Sequence, residues 1–369
     1  MEFHHGSDHP SPSRDEPAAG AEERPQGANG PAYPQATLRG LQASCRFADD
    51  RCMDPLRFLT AECGFFTRRE ALNAGYADKD ITRLVRAGHW IRFRRGYYAF
   101  GDEWATLDDV GRHLVRSRAV LRSLGGAVAL SHTSGVLAHR IDSWQLDLRR
   151  VHVTRLDGAQ GRIEGDVVHH EGVALEGDVI DTEIGQVLRP ERCVLEAASR
   201  HGNEAALCVL DAGLRSRLFD EAALRARHAH MQNWPFMRHL QIPVRMADGS
   251  AGSVGESRGR WWFRVLGFPA PELQWEVRGR DDQLLGICDW AWPEYQTIGE
   301  FDGKVKYGRL LREGQEPGEV VFEEKKREDG IREATQFVVI RFIWSDYDRP
   351  GALARRLEHR LPRYRGWAS

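Results

Sequence analysis

Residues 286–309 read GICDWAWPEYQTIGEFDGKVKYGR. Two β-like runs, GICDWAW and TIGEFDG, flank Pro293-Glu294-Tyr295-Gln296, which has the length and composition of a tight connection. Counting outward from a hairpin closed there pairs Trp292 with Thr297, Asp289 with Glu300 and Ile287 with Asp302. Strand alternation then sets Ile287, Asp289 and Ala291 on one face, with Ile298, Glu300 and Asp302 on the same face of the partner strand. Like charges opposed on a sheet destabilise it, and burying them among tryptophans costs more. A divalent cation with oxygen ligands relieves that cost, and Mg2+ or Mn2+ is the expected cofactor for two or three carboxylates plus water. The competing reading is a bulge that turns one acid to solvent.

The flanking sequence gives this hairpin a setting. SVGESRGRWWFRVLGF reads as an amphipathic helix capped by Ser253 and is followed by the β-like ELQWEVR. After the carboxylate strands come a helix, GEVVFEEKKREDGIREA, and a last strand, FVVIRFIW. The order is αβββαβ. With Glu256 in GESR, Asp289 in CDWAWPE, and Glu300 and Asp302 in EFDGK, the stretch 250–346 resembles the P-D-(D/E)-x-K nuclease fold, closest to very-short-patch-repair-type endonucleases. That resemblance implies a restriction-endonuclease-like core within a domain spanning 250–369, with Glu256, Asp289 and Glu300 as metal ligands. The chain departs from the family pattern where a lysine is usual, two residues after Glu300, because Asp302 stands there. Glu300, Asp302 and Lys304 are therefore the expected catalytic group: a metal held by carboxylates activates water, Asp302 orients it, and Lys304, or Lys306, offsets developing negative charge. Lys325, Arg327 and Arg332 read either as phosphate contacts or as a solvated helix face with pairs such as Lys325 with Asp329.

The N-terminal half carries a second pattern. LRFLTAECGFFTRREALNAGYADKDITRLVRAGHWIRFRRGYYAF, residues 56–100, reads as helix, short helix, turn, helix and two short strands, the outline of a winged helix-turn-helix over 55–103. Thr67 and Glu70 form a capping box, Gly75 ends the first short helix, Asp78 caps the next and Gly88 stops it. Ile81, Leu84 and Val85 recur at helical spacing, which leaves Lys79, Arg83 and Arg86 outward. The two strands turn at Arg95-Gly96 and carry Arg92, Arg94 and Arg95. A helix and a wing that both bear arginines suit a duplex, and double-stranded DNA is the expected partner. Through GFFTRREALNAGY, ITRLVRAGHW and RRGYYAF the segment resembles the N-terminal domain of AbiEi-type antitoxins of type IV toxin-antitoxin systems, strongly over 56–100 and loosely over 110–225. The resemblance implies repression of the protein's own operon and a toxin partner.

The remainder is less specific. Residues 1–50 are rich in Pro, Gly, Ala, Glu and Asp and read as a disordered tail, its histidines included. Residues 105–245 alternate helix-like and β-like runs and read as an α+β connector. Within it CVLEAASRHGNEAALCVLDAGLRSRL suggests a helical hairpin, Ser131 and Ser134 suit helix capping, and His169-His170 lacks spaced partner ligands. The six cysteines are scattered and read as reduced thiols. Across 369 residues, 52 basic side chains face 54 acidic ones, so nucleic-acid affinity is expected to be local. The absence of an apolar run of about 18 residues argues against a membrane span, and a cytoplasmic location is expected. The fold class is thus multidomain, α+β with an α/β C-terminal core. Two functions stay open: a metal-dependent endonuclease brought to DNA by the winged helix, or an AbiEi-like repressor whose nuclease-like domain is silent. Retained, opposed acids favour the first.

Overall fold

The computed structural model describes residues 54–141, 144–303 and 327–364. The expected tail over 1–50, Lys304, Lys306 and Lys325 fall outside the described residues. Over the rest the chain is a mixed α+β assembly whose described strands form three sheets. Among the described residues no helix is long and apolar enough to cross a membrane.

Local chemistry sets the first elements. Asp54 accepts from the Leu56 amide and starts α1 (Pro55–Cys63). Thr67 and Glu70 close the expected capping box on α2 (Arg68–Asn73), the Thr67 amide donating to Glu70 Oε2 at 2.7 Å. Gly75, at φ 96°, makes the turn, and α3 runs Asp78–Arg86. Its cap differs from expectation: the N-cap is Ala77, and Asp80, not Asp78, reaches back to the Ala77 amide at 3.1 Å. β2 (Trp90–Arg94) and β3 (Tyr97–Phe100) turn through Gly96 at φ 79°, and β1 (Phe66–Thr67) adds to β3 in the order β1-β3-β2. Phe66, Trp90, Tyr98 and Phe100 form an aromatic core that Ile81 of α3 closes.

After α4 (Gly101–Thr106) and α5 (Asp109–Leu124), a six-stranded sheet occupies the middle of the chain. Its strands are β4 (Val128–Leu130), β5 (Val151–Arg155), β6 (Arg162–Glu164), β7 (Val167–His170), β8 (Val179–Thr182) and β9 (Gly185–Leu188), in the order β6-β7-β5-β4-β9-β8. The β5/β7 and β4/β9 pairs are parallel. Between β4 and β5 lies α6 (His132–Ala138), and the expected helical hairpin forms as α7 (Pro190–Ala198) and α8 (Asn203–Arg215) around Gly202. Then come α9 (Glu221–Met231) and α10 (Gln241–Met246). Cys193 and Cys208 on this hairpin are buried free thiols.

Asp211 on α8 is fully buried and accepts from Arg260 Nη1 at 2.7 Å and the Asp248 amide at 2.9 Å, bracing α8 against α11 (Val254–Val265). Burial outweighs the guanidinium and lifts its carboxyl to about 6. An acid raised in the folded state keeps its proton after the unfolded chain has lost it, so this group makes stability fall as pH rises from about 4 to about 6. That rise corresponds to about 3 kcal/mol. The melting temperature of Asp211→Asn relative to the parent should therefore climb between pH 4 and 7. A difference that stays flat with pH would mean that Asp211 ionises normally.

In the C-terminal region, α11 precedes β10 (Glu272–Arg278), β11 (Leu284–Trp292) and β12 (Thr297–Phe301). Then come α12, helical over 327–335, β13 (Val338–Phe342), α13 (Trp344–Tyr347) and α14 (Pro350–Glu358). The sheet order is β10-β11-β12-β13; the first two pairings are antiparallel and β12/β13 is parallel. One cluster packs Phe263 of α11 against Trp290, Trp292 and Phe342, and another packs Ile331 of α12 against Val277, Cys288 and Ile298. Glycines permit the first: a Cβ on Gly255 would lie 2.1 Å from the Phe301 ring, and one on Gly259 2.5 Å from Trp290.

Candidate functional site

The carboxylate hairpin forms, but only part of its expected register holds. Trp292 pairs with Thr297, Ala291 with Ile298 and Trp290 with Gly299, and the ladder stops there. Ile287 does not pair with Asp302; it pairs with Glu276 on β10, while the Asp302 amide donates to the Phe342 carbonyl on β13 at 2.7 Å. The Asp289 carboxylate accepts from the Phe301 amide at 2.7 Å, in the place where the ladder would continue.

The reason is a break in alternation. Trp290 packs on Phe263, whereas Cys288, two residues earlier, packs with Ile331 on the other cluster. On β10, Leu273 joins the first cluster while Trp275 stacks on Phe337, ring centroids 5.6 Å apart. Between Leu273 and Trp275 lies Gln274 at φ 48°, a left-handed conformation that rotates the strand. Asp289 therefore sits at a seam between the two faces rather than squarely on one.

From that seam Asp289 acts on acids at both sides. Glu256 on α11 is 5% exposed, and burial first, then the Asp289 charge, pushes its carboxyl up. Its oxygens accept from the Gly252 amide at 2.7 Å, Ser253 Oγ at 2.9 Å and Gln274 Nε2 at 2.9 Å, and Ser253 caps the helix as expected. Burial also raises Glu300, with Arg327 opposing the rise and Asp289 adding to it. Arg327 Nη2 stands 3.5 Å from Glu300 Oε1. An all-oxygen donor set suits a hard divalent cation. As arranged, however, Glu256 is committed to capping, and among the described residues only His132, His152 and His170 bring three ligand atoms within 4.8 Å of one another. Arg332 pairs with Glu328 one turn away at 2.7 Å, as the solvated-face reading of that helix expects, whereas Arg327 turns to the sheet, to Glu300 and the Ile287 carbonyl at 3.3 Å.

The basic residues of the N-terminal region divide differently. Lys79, Arg83 and Arg86 are exposed on α3 and, with Asp78, Thr82 and Ala87, line a shallow depression. Arg83 also donates to Asp80 at 3.1 Å. Arg92 and Arg95 are exposed on the β2–β3 hairpin. Arg94 is used otherwise: its guanidinium binds Asp166, just before β7, and ties the hairpin to the six-stranded sheet.

Sequence reasoning passed over a third group. Ser131 stands at the N-cap of α6, but its hydroxyl makes no cap hydrogen bond and stands 3.1 Å from His132 Nδ1; Ser134, inside the helix, meets His113 Nε2 at 2.8 Å and accepts from the His152 amide at 2.8 Å. His170 joins His132 and His152 across the sheet. The available signal was a histidine in each of LSHTSG, RRVHVT and DVVHH, beside apolar runs.

Comparisons with known proteins bear on these sites unequally. A family of transcriptional regulators described as AbiEi antitoxin matches residues 56–101, so this N-terminal segment is similar to that family. Two Mycobacterium tuberculosis proteins, described as uncharacterized proteins MT2308 and Rv2248, are each 27% identical over 177 residues, 48% of this chain and 62% of theirs. The chain thus spans less than two thirds of the length of these curated relatives. A crystal structure of the RV2827C protein from Mycobacterium tuberculosis aligns at a TM-score of 0.35 and 15% identity, over 53% of this chain and 74% of that one. A likeness of that size carries no inference here.

Proposed function

We propose that this protein is a DNA-binding regulator that docks α3 and the β2–β3 hairpin, as a winged helix-turn-helix, on duplex DNA. The observation that carries the reading is the exposure of Lys79, Arg83 and Arg86 on one side of α3 while Ile81 anchors the other in the core. The match to AbiEi antitoxin transcriptional regulators over 56–101 supports it, and repression of the protein's own operon with a toxin as partner is the reading which that likeness suggests. Phosphate contacts from α3, Arg92 and Arg95 hold the register, and side chains near the start of α3 reach base edges. The test is fluorescence anisotropy of the full chain on duplexes tiled across its own upstream region. Salt-sensitive binding that favours one segment is expected, and an absence of binding at low salt would sink the reading.

A second reading, favoured by the flanking of Asp289 by the buried Glu256 and the half-buried Glu300, whose carboxyls burial and the Asp289 charge push up, is that the C-terminal region is a restriction-endonuclease-like core that binds Mg2+ or Mn2+. The cation would supply charge neutralisation and an activated water. Asp289 and Glu300 would hold it, Glu256 would join only by giving up cap hydrogen bonds, and Asp302 at the end of β12 would orient the water. Calorimetric titration with Mn2+ should register binding by the parent that Asp289→Ala lacks. Nicking of supercoiled, mismatched or branched DNA with either metal should stop in Glu300→Gln. A parent inert on every substrate and blind to Mn2+ removes this reading and leaves the regulator intact.

A further inference from the structure

Four histidines converge where β4, β5 and β7 meet α5 and α6. His132 opens α6, His152 lies on β5 and His170 ends β7; His152 Nδ1 stands 2.9 Å from His170 Nε2. The His132 ring stacks on that of His170, centroids 3.6 Å apart and planes 12° off parallel, and lies 5.6 Å from His152. His132 is buried, and His152 and His170 are half-buried. The start of α6 and the adjacent strands β5 and β7 thus bring one ring nitrogen of each imidazole within 4.8 Å of the others.

Their supports are built as the second layer of a metal site is built. The Glu196 carboxylate on α7, 3% exposed, places Oε2 3.3 Å from His132 Nδ1 and 3.4 Å from the His132 amide, while Arg192 holds its other oxygen at 2.8 Å. His132 Nδ1 thus faces Ser131 Oγ at 3.1 Å and the Glu196 carboxylate at 3.3 Å, so a proton on Nδ1 leaves Nε2 for a ligand, with the carboxylate beside the ring as in metal sites whose ligand histidines are oriented from behind. The His152 amide donates to Ser134 Oγ, whose own proton goes to His113 Nε2, because His113 Nδ1–H donates to the Leu148 carbonyl at 3.0 Å. That chain locks β5 against α6. His132 also takes φ 49°, a strained backbone that the surrounding contacts must hold.

An ordinary core histidine would be satisfied by backbone or carboxylate partners. Here two ring nitrogens face each other with one proton to share, and a third ring lies against them, an arrangement that a common cation completes. We propose that His132, His152 and His170 form a binding site for a divalent transition metal of the zinc class, with Glu196 orienting His132. Imidazole donors select zinc, cobalt and nickel over magnesium, so this site is chemically distinct from the carboxylates around Asp289. Metal bonds of about 2.0–2.1 Å set ligand nitrogens roughly 3.3 Å apart in a tetrahedron, close to the 2.9 Å seen between His152 and His170, and small ring rotations supply the rest. The three-histidine set leaves a fourth position for water or a partner's ligand.

The test titrates the full chain with Co2+ and Zn2+, following Co2+ absorption and Zn2+ competition against a chromogenic chelator. One equivalent is expected in the parent, with the strong visible bands of tetrahedral Co2+. His170→Gln, near-isosteric and half-buried, should lose that equivalent, and Glu196→Gln should weaken it about 10- to 100-fold. Asp289→Ala should bind as the parent does, and far-UV circular dichroism checks that each variant is folded. A parent that takes up no Zn2+, or uptake equal in the parent and His170→Gln, overturns the site whatever the variants' stability.

Discussion

Replacing Lys79, Arg83 and Arg86 together by alanine is expected to weaken duplex binding roughly a hundredfold at about 0.15 M salt while leaving the fold in place. The size follows from counterion release: each neutralised phosphate adds about 0.9 to the slope of log K against log salt, so removing three such cations at that salt lowers affinity by about two orders of magnitude. The fold should survive because all three side chains are exposed and the core face of α3 is untouched. The Arg83–Asp80 pair removed with them is a surface pair, worth at most about 1 kcal/mol. Anisotropy over a salt series checks both parts: the slope should flatten by about three. An unchanged slope would mean that α3 does not face the duplex. Arg94→Ala should behave differently, since Arg94 binds Asp166: it should loosen the hairpin from the six-stranded sheet with little change in slope.

Arg192→Ala is expected to destabilise the chain by about 3–5 kcal/mol, the range for removing one partner of a buried ion pair. The guanidinium is 1% exposed and donates to Glu196 at 2.8 Å, Asp178 at 2.7 Å and the Val173 carbonyl at 2.9 Å. Its loss takes the cation from Glu196 and leaves Asp178 to Arg227, at 2.6 Å, and the Leu175 amide. Dispersion against Trp234, whose ring lies 5.0 Å from the guanidinium carbon, goes as well. Urea denaturation should show the loss, with Arg192→Lys intermediate because it keeps the charge without the fork geometry. The exposed Arg140–Glu183 pair is the control: Arg140→Ala should cost about 1 kcal/mol at most. A loss that small for Arg192 would show that the network is already hydrated.

How far the sequence alone reached depended on the range of the interactions. Thr67 with Glu70, Ser253 as a helix cap, and the glycines at 75, 88 and 96 act within a few residues, so these caps and turns were legible as written, while the part Glu256 takes in the Ser253 cap was not. Even there Asp80 took the place of Asp78 at the start of α3, where both Asp78 carboxylate oxygens are held by the Arg68 guanidinium. The hairpin of β11 and β12 was legible up to Trp290 with Gly299 for the same reason: its connection is short and its alternation regular.

Past that pair the tertiary structure decided. The face that Asp289 takes depends on Gln274, fifteen residues earlier by number (289 − 274) and on a different strand, whose left-handed backbone turns both strands at once. No period-two pattern within β11 encodes that rotation. The histidines are the stronger case. His132, His152 and His170 share no motif, and each alone reads as a satisfied core residue. They meet because β5 lies between β4 and β7 and pairs parallel with β7, a strand order fixed by long-range burial of the sheet rather than by any local spacing. Arg94 likewise read as one more basic residue on the hairpin until Asp166, 72 positions away, claimed it. The sequence by itself determined the Thr67 and Ser253 caps, the helices they start and the outward charge of α3, since those depend on neighbours along the chain. Which acids and histidines meet was decided only by packing, since convergence of distant residues requires the strand order and register that folding the whole sheet selects.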